Sequence, residues 1–240
     1  MKKHTIVILH GWGLSGKSFA PLKKVFEQYG YKVVAPDMPG FGEEAAPKHP
    51  WKLTDYARFV DEYITTHKIK KPIFVGHSFG GRVSLRYIQM HPDSMPAVIL
   101  TGTPGFTPIP RKKLLLFIAI AKVGGLVFKL PALNLFSDWV RRWYYYVVGA
   151  KEFFRAEGSM RQTFKNVVQE ELVSAMQSVN IPVLLLWGEY DVIVPTVIAQ
   201  RMIDVLPDAK LYIIPEADHG VPFKQPDVFV KYVDTFLNSL

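Results

Sequence analysis

The stretch Ile73–Met90, IFVGHSFGGRVSLRYIQM, restricts the possible folds of this chain more than any other. Its opening, Ile73-Phe74-Val75, is short, apolar and introduced by Pro72, which suits a strand buried on both faces. Past the turn, Val83, Leu85, Tyr87 and Ile88, followed by His91-Pro92, predict a helix that stops where proline forbids continuation. Between them lies Gly76-His77-Ser78-Phe79-Gly80, with Gly81 next. A strand that turns sharply into a helix runs close to its neighbours, and side chains at the ends of the turn would collide with them. The glycines are therefore mechanical. Ser78 is left at the tip of the turn and at a helix N-terminus, where backbone N–H groups and the helix dipole favour a developing negative charge.

Five further apolar runs have strand length: Thr5–Leu9, Val33–Ala35, Ala97–Thr101, Val183–Trp187 and Lys210–Ile214. Helical patterns separate them. From Thr54, taken as a cap, to His67, the residues Tyr56, Phe59, Val60, Tyr63 and Ile64 form a core-facing stripe, and Thr196–Leu206 is a second helix. His49 and His67 are expected at the surface. Six strands alternating with helices predict an α/β fold, a doubly wound, mainly parallel six-stranded sheet with right-handed crossovers. At 240 residues the chain can bury a large core as one domain with an insertion. The alternation breaks between Thr107 and Val179, where Pro110, Gly124-Gly125, Pro131, Ser137, Gly149 and a capping-box pattern at Ser159–Gln162 punctuate helical pieces. The expected division is a core of 1–106 and 180–240 with a helical cap at 107–179.

With its strand and helix context, the G-x-S-x-G turn resembles the nucleophile elbow of the α/β-hydrolase superfamily. Further motifs agree along nearly the whole chain, least in the cap. Asp37-Met38-Pro39-Gly40-Phe41-Gly42 is similar to the family's D-x-P-G-x-G turn, with Glu43 where serine is common and no catalytic role expected. Gly188-Glu189-Tyr190-Asp191 resembles its G-x-x-D, and His219 follows the last strand, where the family keeps its base. The strand after the elbow, where some members place the acid, ends in Gly102-Thr103-Pro104-Gly105 without a carboxylate. The resemblance implies strand order 2-1-3-4-5-6, lacking the family's first two antiparallel-edge strands. It also implies the triad order Ser78, Asp191, His219, with Glu189 as the fallback acid, and an oxyanion hole from the N–H groups of Trp12 and Phe79. Trp139, Trp143 and Tyr144, with Tyr145 and Tyr146, are expected to roof a hydrophobic acyl pocket.

The implied activity is that of a serine hydrolase cleaving carboxylic esters of small to medium acyl chains. Thioesters, lactones, amides, carbon–carbon cleavage and acyl transfer share the triad and stay open. Serine at the elbow disfavours the dehalogenases and epoxide hydrolases that resemble this fold but attack with aspartate. A ligand receptor on the same fold is a rival outside this class. Another arises at Gly11–Ser18, which matches the phosphate loop G-x-x-x-x-G-K-S and, with Asp37, the dinucleotide fingerprint. A helix beginning at Gly16-Lys17-Ser18 would place Pro21 in its second turn, whereas a helix capped by Ser18 tolerates proline in its first. The loop is read accordingly as the oxyanion loop, with His10 structural and Lys17 on the surface.

The formal charge of +8 resides in one segment: residues 105–165 hold eleven Lys or Arg against three acids, and the rest of the chain is balanced. An ordinary solvated surface is preferred over a membrane contact for this basic cap, and its apolar run Leu114–Ala121 is far too short for a bilayer span. No metal cluster or nucleic-acid motif is visible and, with the loop read as above, no cofactor is expected; the expected partner is a small-molecule ester. Cysteine is absent, which fits a reducing compartment. The apolar run behind Met1-Lys2-Lys3 is too short for a signal peptide, and a cytoplasmic location is expected.

Overall fold

The computed structural model describes residues 4–106 and 157–240. Within them six strands form one parallel sheet: β1 (Thr5–Leu9), β2 (Lys32–Val34), β3 (Ile73–His77), β4 (Val98–Thr101), β5 (Val183–Gly188) and β6 (Ala209–Ile214). The order is β2-β1-β3-β4-β5-β6, as expected. Strands β3, β4 and β5 are buried at every residue, which is what continuous apolar runs achieve when helices cover both faces. Val75 pairs with Ile8 on one side and Ile99 on the other, and Ile99 pairs in turn with Leu184. Strand alternation then divides the core. Val7, Phe74, Leu100 and Leu185 face one layer, while Ile8, Val75, Ile99 and Leu184 face the other.

Eight helices flank the sheet among the described residues: α1 (Ala20–Gln28), α2 (Leu53–Thr66), α3 (Phe79–Met90), α4 (Gly158–Gln169), α5 (Val173–Gln177), α6 (Thr196–Ile203), α7 (Val221–Lys224) and α8 (Pro226–Leu237). Helices α1 and α8 bring Leu22, Phe26, Phe229 and Val233 to one layer. Helices α2, α3, α5 and α6 bring Tyr56, Val60, Val83, Met176 and Met202 to the other. Helix α4 is tied down through Trp51, whose N–H donates to Thr163 Oγ1 (2.9 Å) and whose carbonyl accepts from Asn166 Nδ2 (3.0 Å). None of the described helices is long and apolar enough to cross a membrane. The expectations for residues 107–156, including the pocket roles of Trp139, Trp143 and Tyr144, lie outside the described residues.

Three helix starts differ from the sequence reading, each because hydrogen bonds made in three dimensions outrank composition. A 3-10 turn over Gly16–Phe19 precedes α1, and Ser18 Oγ accepts the Ser15 N–H (3.2 Å) instead of capping the helix, though Pro21 does fall in its first turn. Helix α2 starts one residue before Thr54, with the Asp55 carboxylate accepting the Lys52 N–H at 2.8 Å. Helix α4 starts at Gly158, and Ser159 donates its hydroxyl to the Pro47 carbonyl.

Candidate active site

Because every strand runs the same way, the carboxyl ends of β1, β3, β4, β5 and β6 share one edge of the sheet. The elbow stands there. Ser78 has φ 52° and ψ −111°, a backbone conformation costly for a residue with a Cβ, and its N–H donates to the Thr101 carbonyl at the end of β4 (2.9 Å). The helix leaves so tightly that a Cβ at Gly80 would lie 2.0 Å from the Leu9 carbonyl oxygen, and one at Gly81 would lie 1.9 Å from Thr103 Oγ1. The expected mechanical role of these glycines is thus met atom by atom.

Asp191 and His219 meet at the same edge. Asp191 Oδ2 is 2.7 Å from His219 Nδ1, and Oδ1 accepts the N–H groups of Ile193 (3.0 Å) and Val194 (2.8 Å). Trp187 in β5 locks this turn by donating its indole N–H to the Val194 carbonyl at 2.7 Å. A carboxylate fixed on both oxygens holds the proton on Nδ1, which leaves Nε2 of His219 as the ring's acceptor. Glu189 is turned elsewhere: it is exposed and accepts the Glu216 N–H (3.0 Å), bracing the turn that leads to His219. The imidazole lies over the end of β4. A Cβ at Gly102, which has φ +55°, would sit 2.5 Å from His219 Cε1. Thr101 bonds Ser78 and Gly102 underlies His219, so Ser78 and the Asp191–His219 pair flank one dipeptide.

Trp12 and Phe79 are also brought together, with ring centroids 5.3 Å apart, edge to face. Phe79 is the first residue of α3, so its N–H is among the first-turn donors that no helical carbonyl can satisfy. Trp12 lies in the turn closed by the Leu14 N–H and Gly11 carbonyl (3.2 Å). Its ring packs edge-on against Phe41 (4.8 Å) and Phe164 (5.0 Å). A cleft of about 600 Å³ opens beside it, walled by Leu14, Phe41 and Met160 with Glu157 on its border.

The phosphate-loop reading of Gly11–Ser18 fails on contact. The Gly16 N–H, which a phosphate would need, donates to Asp37 Oδ1 at 2.6 Å. A Cβ at Gly16 would meet the Ala35 carbonyl oxygen at 1.9 Å, so this glycine serves packing against β2, and Lys17 is exposed. His10 is structural as expected: fully buried, it accepts the Met38 N–H at Nε2 (3.0 Å) and donates from Nδ1 to the Gly11 carbonyl (2.9 Å). Burial holds its pKa below the ordinary histidine value. No group of three or more His, Asp or Glu among the described residues is placed to hold a metal ion.

Two residues of the site escaped sequence reasoning. Gly102 was legible only as the place where a carboxylate was missing, although a glycine directly after a buried strand is itself a signal of close approach. His77 gave no signal, since its partner is a main-chain carbonyl 142 residues away.

Residues 6–232 match the model of the alpha/beta hydrolase family. The uncharacterized hydrolase YugF of Bacillus subtilis is 26% identical, covering 98% of this chain and 90% of its own. A pimeloyl-[acyl-carrier protein] methyl ester esterase of Vibrio vulnificus is 24% identical, covering 96% and 93%. Among solved structures, an esterase from Exiguobacterium antarcticum superposes with a TM-score of 0.74 at 20% identity, over 99% of this chain and 93% of the other. The chain belongs to the alpha/beta hydrolase family.

Proposed function

We propose that this hydrolase cleaves carboxylic esters through Ser78, His219 and Asp191. The observation that carries the reading is the 2.7 Å bond from His219 Nδ1 to Asp191, at the sheet edge where Ser78 is held in a strained turn. His219 Nε2 takes the Ser78 proton as Oγ attacks the ester carbonyl carbon. The N–H groups of Trp12 and Phe79 receive the negative oxygen of the tetrahedral intermediate. His219 returns its proton to the departing alcohol, and water repeats the sequence on the acyl-enzyme to release the acid. The esterase names carried by the Vibrio and Exiguobacterium proteins support an ester as the substrate. The apolar wall of Leu14, Phe41 and Met160 beside the oxyanion loop supports a hydrocarbon group of the substrate lying there.

The test is labelling by a fluorophosphonate together with turnover of p-nitrophenyl esters from acetate to octanoate. Ser78→Ala abolishes labelling and lowers turnover on the order of 10⁶-fold. Medium chains exceed acetate in kcat/KM, because each buried methylene is worth about 0.8 kcal/mol. A Ser78→Ala enzyme that still hydrolyses these esters overturns the assignment. Labelling of the wild type without turnover of any ester, thioester or amide favours the receptor on the same fold.

A further inference from the structure

His77 precedes Ser78 in the elbow, and its side chain is buried. It is 2% exposed, and its ring packs edge-on against Phe19 (5.7 Å) and Phe223 (5.4 Å), which also touch each other. Its Nε2 lies 3.0 Å from the main-chain carbonyl oxygen of His219, and the two imidazole centroids are 4.7 Å apart. A carbonyl can only accept, so the bond requires the proton on Nε2 of His77. Nδ1 is then a bare lone pair. It has no hydrogen-bond partner, and the chain opposite it is Gly11, where a Cβ would lie 2.7 Å from that nitrogen. An unpartnered buried nitrogen is a cost that an apolar ring of the same shape would avoid, and the compensating interaction is the bond to His219.

We propose that His77 is a positioning residue for the base: it grips the His219 main chain from beneath while Asp191 grips the ring, so that Nε2 of His219 stays aimed at Ser78. The inference rests on the ester-hydrolase reading above and assigns His77 no contact with substrate. The grip adds to the brace that Glu189 gives the Glu216 N–H and to the bond from the Tyr190 N–H to the Ala217 carbonyl (2.8 Å). The loop so held runs through Glu216 at φ +56° and reaches His219 from β6, an edge strand whose Tyr212 and Ile213 are exposed. The bond requires only the Nε2–H, which a cation would also carry, and it opposes the downward shift; the neutral state is set by the rest of the surroundings. Burial first, and the neighbouring His219 second, push the His77 pKa down to about 3.

Three variants separate gripping from packing. Gln places an amide N–H near the position of Nε2, Asn places one near Nδ1, and Phe keeps an aromatic ring without any donor. His77→Gln keeps most of the wild-type kcat, whereas His77→Asn and His77→Phe lower it by about 10²-fold, the scale expected for a misplaced catalytic group, with KM unchanged. Phe retaining kcat as well as Gln overturns the proposal, as does a fall in KM-controlled binding instead of kcat. Nitrogen-15 spectra of histidine-labelled wild type supply a second measurement independent of the variants' folding. His77 is expected as the Nε2–H tautomer, unchanged between pH 8 and pH 5, and an Nδ1–H tautomer overturns the proposal. Wild type that neither labels nor turns over any ester overturns the reading above, while the nitrogen spectrum still decides the His77 bond.

Discussion

A single methyl group at Gly102 tests the site at the scale of one residue. Gly102 combines φ +55°, which a side chain resists, with a Cβ position 2.5 Å from Cε1 and 2.7 Å from Nδ1 of His219. Gly102→Ala therefore displaces the imidazole. It is expected to lower ester turnover by about 10²-fold, because small misplacements of a catalytic group have effects of that size. The variant still folds, which a thermal melt beside the rate measurement establishes, and unchanged turnover would count against His219 as the base. Ser78, Asp191 and His219 could be singled out from the sequence as candidates because each carries a reactive group in a motif near the end of a strand. Gly102, His77 and Asp37 could not be read in the same way. Their work consists of contacts with segments far along the chain: Gly102 with His219, His77 with His219, and Asp37 with Gly16.

At the scale of elements, α3 is fastened to both chain segments that flank residues 107–156. Arg82, one turn beyond Ser78 and 2% exposed, donates through its two terminal nitrogens to the carbonyls of Pro104 and Glu170. Arg86, on the next turn, pairs with the Glu170 carboxylate at 2.6 Å, and the other carboxylate oxygen accepts the Leu53 N–H at the start of α2 (3.3 Å). Burial lowers the Arg82 pKa to about 10, with Glu170 and Glu171 opposing the shift, so it is charged at neutral pH. Arg82→Leu leaves the two carbonyls without donors, while Arg86 keeps its Glu170 partner. The substitution is expected to cost about 3 kcal/mol of stability, read from the urea midpoint at constant m, and Arg82→Lys to recover part of it. An Arg82→Leu protein as stable as wild type would show that solvent replaces the clasp. None of this could be read from sequence, where Arg82 is one charged residue in an amphipathic helix. Strand existence was legible because buried parallel strands are uninterrupted apolar runs. Helix starts were off by a residue or more because caps such as Asp55 on Lys52 depend on geometry.

Across the whole molecule, the parallel sheet followed from the alternation of strands and helices, its strand order from the resemblance to the α/β hydrolases, and the crowding of basic residues into 105–165 from counting. The response to acid was legible in none of these. It depends on His10 and His77, two histidines buried on either side of Gly11. His77 titrates near pH 3 in the folded protein, against about 6.5 in an unfolded chain. Between those values the unfolded state binds more protons than the folded one, so stability is complete above about pH 6.5 and declines as the pH falls toward 3. His10 shifts in the same direction, chiefly through burial, with the Gly11 carbonyl and Asp37 opposing. Charging it would put a proton on the nitrogen that accepts the Met38 N–H, adding a broken hydrogen bond to the cost of a buried charge. The charged groups that act on His77 are the imidazoles of His219 and His10, both of which lower its pKa; only the bond to the His219 carbonyl opposes them, and no carboxylate among the described residues accommodates the cation. The expected outcome is a wild-type melting temperature that falls steadily from pH 7 to pH 4, and a shallower fall for His77→Gln, whose amide does not titrate. The two proteins should be compared by the slope of melting temperature against pH scaled by the unfolding enthalpy of each, which reports the protons taken up on unfolding. Equal slopes would mean that His77 does not stay neutral in the fold, and the wild-type acid sensitivity would then belong to His10 and the carboxylates.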